Sequence, residues 1–185
     1  LCQQVIRLFS KSREIETHLI YDPSFKNPSE FLATVNERFQ GKRSETGISD
    51  MQLKEDIRQY LSYKSSDEKK IVVLVIDEGQ KLSASCLDIL QDFLNYETNR
   101  YKLLQIVIFA QAGFQKKIAE FTEFADRIQF YHTLYPLDFR DTRKLVQFRL
   151  NKSGTPSKVP AFFTYSALWA LFRASGGYPR KIVDV

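Results

Sequence analysis

Asp77 and Glu78 stand side by side where the run Ile71-Val72-Val73-Leu74-Val75-Ile76 ends. Adjacent carboxylates can hold a hard cation through oxygen and polarise a water beside it. Their position matters as much as their type. Six consecutive aliphatic residues with no polar alternation read as a strand buried on both faces, in the middle of a parallel sheet. Open α/β sheets bind ligands just beyond the carboxyl ends of their strands, and these two carboxylates fall there. Taken alone the pair also has a plainer reading, because acidic residues end strands wherever the chain returns to water.

The elements that must position this pair can be read along the chain. Residues 1–11 continue an amphipathic helix, with Leu1, Val5, Leu8 and Phe9 on one face. Glu16 to Tyr21 reads as a short strand, and Asp22-Pro23 and Asn27-Pro28 break the chain. Ser29 is a candidate N-cap for a helix carrying Phe31, Leu32, Val35 and Phe39, closed near Gly41. Lys42 to Ser49 is a polar connection, and Met51, Leu53, Ile57, Tyr60 and Leu61 lie mostly on one face of the next helix. Residues 65–70 form a solvated loop into the central strand.

After Glu78, Ser83 or Ser85 caps a helix with Leu87, Leu90, Phe93 and Leu94 inward. A second buried run, Leu103 to Ala110, ends at Gln111; residues 113–124 are helical, and Ile128 to His132 is a shorter strand. Alternating strands and helices predict a doubly wound parallel sheet with right-handed crossovers. The pattern changes near Tyr135-Pro136. Asp138 or Asp141 caps a helix reaching Leu150, Asn151 to Pro160 is a Gly/Pro/Ser-rich loop, and Thr164 caps a helix closed by Gly176-Gly177. Trp169, Phe172 and Leu168 read as the core of this helical part, and Phe121 and Phe124 as packing residues. Arg140, Arg143, Lys144 and Arg149 read as a solvated basic face.

Composition narrows the classes. The 185 residues suffice for one domain with an appendage, and 43% hydrophobic with 26% charged residues is ordinary for a globular chain. A net charge of +5 without a polybasic block permits contact with nucleic acid or an anionic surface but does not favour it. Cys2 and Cys86 have no metal-ligand or disulfide spacing and read as small core residues, which suggests a reducing, cytoplasmic compartment. His18 and His132 are too far apart to suggest zinc. No apolar run approaches twenty residues, so no membrane span is expected within the chain.

Five stretches, in order, carry a resemblance. They are Ile-Asp-Glu-Gly-Gln-Lys-Leu at 76–82, Leu90 to Glu97 with Leu-Asn-Tyr-Glu-Thr, and Lys-Leu-Leu-Gln-Ile-Val at 102–107. Ala-Asp-Arg-Ile at 125–128 with the following Tyr-His, and Gly-Gly-Tyr-Pro-Arg at 176–180, complete the set. Together they resemble the AAA+ ATPases, and within them the secretion-pathway ATPases of the ExeA/GspA type. The resemblance implies a P-loop NTPase-like αβα parallel sheet over residues 1–136 and a small C-terminal helical lid over 137–185. It implies ATP and Mg²⁺ as cofactors.

The same resemblance assigns roles. Asp77 matches the Walker B aspartate that orients Mg²⁺ through water, and Glu78 the carboxylate that polarises the attacking water. Gln111 matches the sensor that helps hold that water, and an amide can both donate and accept to do so. Arg127 matches the arginine finger that reaches a neighbouring subunit's nucleotide, and Arg180 the lid arginine that contacts the γ-phosphate. Self-association into an AAA+ oligomer and a secretion partner at the cytoplasmic face of the inner membrane are implied as well. The alternatives are a nucleic-acid-linked ATPase of the transposition or replication-initiation kind, and a non-hydrolysing scaffold relative. One departure stands out: Gly-x-x-x-x-Gly-Lys-[Ser/Thr] occurs nowhere in these residues. The expectation is a core that lacks its first strand and Walker A loop, a truncated lid, and a piece that is itself inactive although its parent hydrolyses ATP.

Overall fold

The central strand comes first because its sequence leaves it little choice. Val72 to Ile76 are all buried, and a strand this deep needs hydrogen-bonding partners along both edges. In the computed structural model, which describes residues 2–43, 47–98, 102–153 and 163–183, β2 (Ile71–Ile76) lies between β1 (Ile15–Ile20) and β3 (Leu104–Ile108). Both pairings are parallel, and Ile20, Ile76 and Ile108 share one register row at the carboxyl edge. The mixed α/β fold with a parallel sheet is therefore as expected.

Alternation along β2 divides the core. Val72, Leu74 and Ile76 enter a large cluster with Phe31, Leu32 and Val35 of α2 (Pro28–Gln40), Leu53, Ile57 and Leu61 of α3 (Asp50–Ser66), and Leu87, Leu90 and Phe93 of α4 (Ala84–Leu94). Val73 and Val75 face the other way, against Cys2, Ile6 and Phe9 of α1 (Cys2–Phe9). Helices thus cover both sheet faces. Cys2 and Cys86 are buried, one on each side, as small core residues.

Several boundaries differ from the sequence reading. Asn27, not Ser29, caps α2: its side chain accepts the amide of Glu30, and Pro28 takes the first helical position, where no N–H is needed. Helix α3 continues to Ser66, through residues read as loop, because Ser65 is buried and Lys64 is held by Glu16 and Glu68. Ser83, rather than Ser85, caps α4. The 113–124 helix is two short ones, α5 (Phe114–Ala119) and α6 (Thr122–Ala125), with Phe124 buried and Phe121 packed against the core. The strand expected at 128–132 does not form: no described strand lies beside it to complete a ladder, and Phe130 is 89% exposed. The expected loop at 42–49 falls partly, and that at 151–160 mostly, outside the described residues; Asn151 and Lys152 still belong to a helix.

The chain divides into two compact units, Leu1–Tyr131 and His132–Val185. The second holds α7 (Phe139–Lys152), α8 (Tyr165–Ser175) and α9 (Pro179–Val183) around Val146, Leu168 and Ile182. Asp138 and Thr164 cap the first two of these helices. The exposed stripe of α7 carries Arg140, Arg143, Lys144 and Arg149, as a solvated face should. Trp169 departs from the core role expected of it. It is 47% exposed, meeting Phe139 edge-to-face and Phe172 at a tilt. Gly177 is required where it stands: its φ is +76°, and a Cβ would lie 2.1 Å from the Leu137 carbonyl oxygen. Leu137 N donates to the Gly177 carbonyl at 2.8 Å, so the turn after α8 is pinned to the segment before α7.

Candidate active site

The shared register brings three chain exits to one edge of the sheet. Beyond Ile20 comes Asp22, beyond Ile76 come Asp77 and Glu78, and beyond Ile108 comes Gln111. The ladder runs on past the strands. Asp77 N donates to Ile20 O at 2.8 Å, Phe109 N to Ile76 O at 2.8 Å, and Gly79 N to Phe109 O at 2.8 Å. Each of these side chains is thus mounted within a residue or two of a fixed hydrogen bond.

Asp77 is half-buried, and its Oδ1 accepts the amide of Glu78 at 3.0 Å. It also borders the start of α1. Burial pushes the Cys2 thiol up, and the nearby Asp77 carboxylate pushes it further. Cys2, the first residue of α1, packs with Val73 and Val75 of β2, the latter two residues before Asp77.

Glu78 is exposed and holds a left-handed backbone, φ 53° and ψ 38°. For a residue with a Cβ this conformation costs about 1 kcal/mol. The strain turns the chain sharply out of β2 into a single 3₁₀ turn, Gly79–Lys81, and lets Gly79 enter the core. A Cβ on Gly79 would lie 2.2 Å from Ile108 Cγ2, so only glycine fits there.

Gln80 supplies the link that sequence reasoning missed. Its Nε2 donates to Glu78 Oε2 at 2.7 Å, and its Oε1 accepts the backbone amide of Gln111 at 3.1 Å. One amide side chain thus joins the two strand ends. Lys117 of α5 braces the same turn by donating to the carbonyls of Gln80 and Leu82. Ser24 Oγ donates to Asp22 at 2.6 Å and Lys81 pairs with it at 3.0 Å, and together they hold its carboxyl below the usual range. The spacing from Glu78 to Gln80 was visible in the sequence. The left-handed turn that makes two residues apart mean one hydrogen bond was not.

Arg127 is not brought to this edge. It is exposed after α6, close enough to Glu97 to help lower that carboxyl below its usual range, behind the larger effect of the Lys102 hydrogen bond. Glu97 and Lys102 form a bridge between the end of α4 and the start of β3, the opposite end of these elements from Gln111. Arg180 lies in the second unit, exposed in the first turn of α9, behind the Gly176-Gly177 turn.

The donor set can be tested against Mg²⁺ and ATP. Among the described residues no group of three or more His, Cys, Asp or Glu could cage a metal. Mg²⁺ dehydrates reluctantly and is commonly held by one or two carboxylates with water and substrate phosphates, so a single strand-end aspartate suits it. Asp77 fits, with Oδ2 taking no hydrogen bond from the described residues. None of the described helices is long and apolar enough to cross a membrane.

The chain is similar to known proteins in family and in fold. Residues 1–118 match the family model described as AAA domain. The chain is 35% identical over 172 residues to general secretion pathway protein A of Aeromonas hydrophila, covering 91% of this chain. It spans 30% of that relative's length. Among solved structures, the ORC2 protein of Aeropyrum pernix, described in ADPNP and ADP complexes, superposes with a TM-score of 0.58. That match covers 81% of this chain and 40% of the other at 12% identity, a likeness of fold. With more than half of its residues inside the family model and a relative at this identity, the chain belongs to the AAA domain family.

Proposed function

We propose that this module is the hydrolytic part of an AAA+ ATPase that couples Mg²⁺-dependent ATP hydrolysis to remodelling or assembly of a secretion-pathway complex. The observation that carries the reading is the carboxyl edge itself: Asp77 and Glu78 end a doubly buried strand that packs on Cys2 of α1, and Gln111 ends the next strand. Mg²⁺, when bound with the nucleotide, would neutralise charge on the phosphates.

The chain's own residues have separate tasks. Asp77, fixed by the Ile20 ladder bond, would hold Mg²⁺ at the carboxyl edge. Glu78 accepts a hydrogen bond from the attacking water and draws its proton. Gln111, at the end of the next strand, helps hold the same water. Phosphate gripping needs backbone N–H groups that no Gly-x-x-x-x-Gly-Lys-[Ser/Thr] in these residues supplies, so the reading concerns the protein in which the module works. Arg127, at the other end of α4 and β3, serves a neighbouring subunit's nucleotide, which makes an oligomer the active form. Arg180 on α9 reports nucleotide state through the helical unit.

The secretion setting rests on the Aeromonas relative's name, and the partner is then a component at the cytoplasmic face of the inner membrane. Two measurements on the intact protein test the reading. ATP turnover should require Mg²⁺ and be lost in Asp77→Asn; turnover that survives both changes contradicts it. Mixing Arg127→Ala subunits with Glu78→Gln subunits should restore activity that neither has alone. Absence of any restoration rejects the finger in trans.

A further inference from the structure

Among the described residues, Gln80 is a side chain that touches two of the proposed catalytic positions, and no role in the reaction follows from its type alone. Its two ends are used differently. The Nε2 donor holds an ionisable carboxylate oxygen of Glu78 at 2.7 Å, and the Oε1 acceptor is anchored on the Gln111 main chain at 3.1 Å. The anchor is firm. Gly79 next to it donates to Phe109 O at 2.8 Å, and Lys117 reaches the Gln80 carbonyl at 3.4 Å. Glu78, by contrast, is exposed, so its side chain would otherwise sample several rotamers.

We infer that Gln80 is a positioning residue, whose amide fixes one oxygen of Glu78 against the end of β3 and leaves the other directed to water. This rests on the ATPase reading above and adds to it the group that orients the water-polarising carboxylate. The geometry also makes the orientation responsive. Any shift of the Gln111 main chain moves the Gln80 amide, and with it the Glu78 carboxylate. A movement of the β3 end is thereby transmitted to the catalytic carboxylate without a change in Asp77, whose amide is tied to β1 instead.

The test uses the intact protein and two substitutions. Gln80→Met keeps the length and removes both hydrogen bonds. Gln80→Glu keeps an acceptor for the Gln111 amide but replaces the donor facing Glu78 with a second carboxylate. Loss of a charge-assisted hydrogen bond corresponds to roughly a tenfold or greater fall in kcat. Both variants should show that fall with KM and ATP affinity within about twofold of wild type, since the bond orients the carboxylate rather than binding nucleotide. Gln80→Glu should be at least as impaired as Gln80→Met, and its thermal midpoint should match wild type.

Gln80→His, which restores an N–H toward Glu78, should recover part of the loss. A purely structural role would instead lower the thermal midpoint or ATP affinity in step with kcat, and that result overturns the inference. So does wild-type or raised kcat in both Gln80→Met and Gln80→Glu. Glu78→Gln separates the two levels. If Glu78→Gln is dead while both Gln80 variants are fully active, only the positioning inference falls; if Glu78→Gln turns over normally, the ATPase assignment falls with it.

Discussion

Lys81 Nζ lies 3.0 Å from Asp22 Oδ2, tying the chain beyond β1 to the turn beyond β2 across the carboxyl edge. The pair is open to water, with side chains 41% and 56% exposed. Solvent screens an ion pair this exposed, so it adds little to stability. Asp22→Asn should therefore leave the thermal midpoint within about 2 °C of wild type. A larger fall, measured by calorimetry, would mean that the pair supports the turn more strongly than its exposure allows.

Gly79 should not tolerate a methyl group. The added Cβ meets Ile108 Cγ2 at 2.2 Å and Phe109 O at 3.3 Å, so either β3 or the turn must move. Overpacking of this kind costs about 1–3 kcal/mol. Gly79→Ala should lower the unfolding free energy by that amount in urea titration and reduce turnover further, because the turn carries Glu78 and Gln80. An unchanged denaturation midpoint would contradict the packing described at the β3 end.

A polar cluster on the α3 side of β1 predicts the acid limb of stability. Burial opposes the Glu16 carboxylate, but hydrogen bonds from Tyr60, Lys64 and Lys70 outweigh it and hold its pKa at about 2. Burial lowers the His18 imidazole below its ordinary 6.5, against the pull of Glu16, and His18 Nε2 lies 3.1 Å from Tyr60 Oη. The signs agree. The unfolded chain takes up protons first at His18, below about pH 6.5, and then at Glu16, below about pH 4.5. Stability should thus fall in two stages on acidification. His18→Gln should remove the upper stage, and Glu16→Gln should remove the lower one while costing about 1–3 kcal/mol at pH 7. A single transition unaffected by His18→Gln would reject the imidazole's part.

Thr142 offers a stabilising change. It is fully buried in α7, and its Oγ1 has no hydrogen-bond partner among the described residues. Replacing an unsatisfied buried hydroxyl by a methyl of similar shape should gain about 1 kcal/mol. Thr142→Val should raise the thermal midpoint by about 2–4 °C. A lower midpoint would indicate that the hydroxyl is satisfied.

Much of this was legible in the sequence, for physical reasons that differ by residue. Ile71 to Ile76 could only be a central strand, because nothing polar in it tolerates a solvent face. Ser83, Asp138 and Thr164 announced their helices through short oxygen-bearing side chains, although Asn27 displaced Ser29 once Pro28 took the first turn. The segment 128–132 misled because alternation signals a strand but does not supply a partner. Asp77, Glu78 and Gln111 were readable as strand ends, and the shared register row explains why they converge. Gln80 was not, since its role depends on a left-handed Glu78 that no residue type requires. The opposite placement of Arg127 near Glu97 depended on where α4 ends, which periodicity alone does not fix.

The most direct test of the central claim is steady-state ATP turnover of the intact protein carrying Glu78→Gln, with nucleotide affinity measured on the same sample. Removing a group that acts on the attacking water should lower kcat by at least about 10²-fold and leave ATP affinity within about twofold. Turnover within a few-fold of wild type would contradict the assignment of this carboxyl edge as the hydrolytic site.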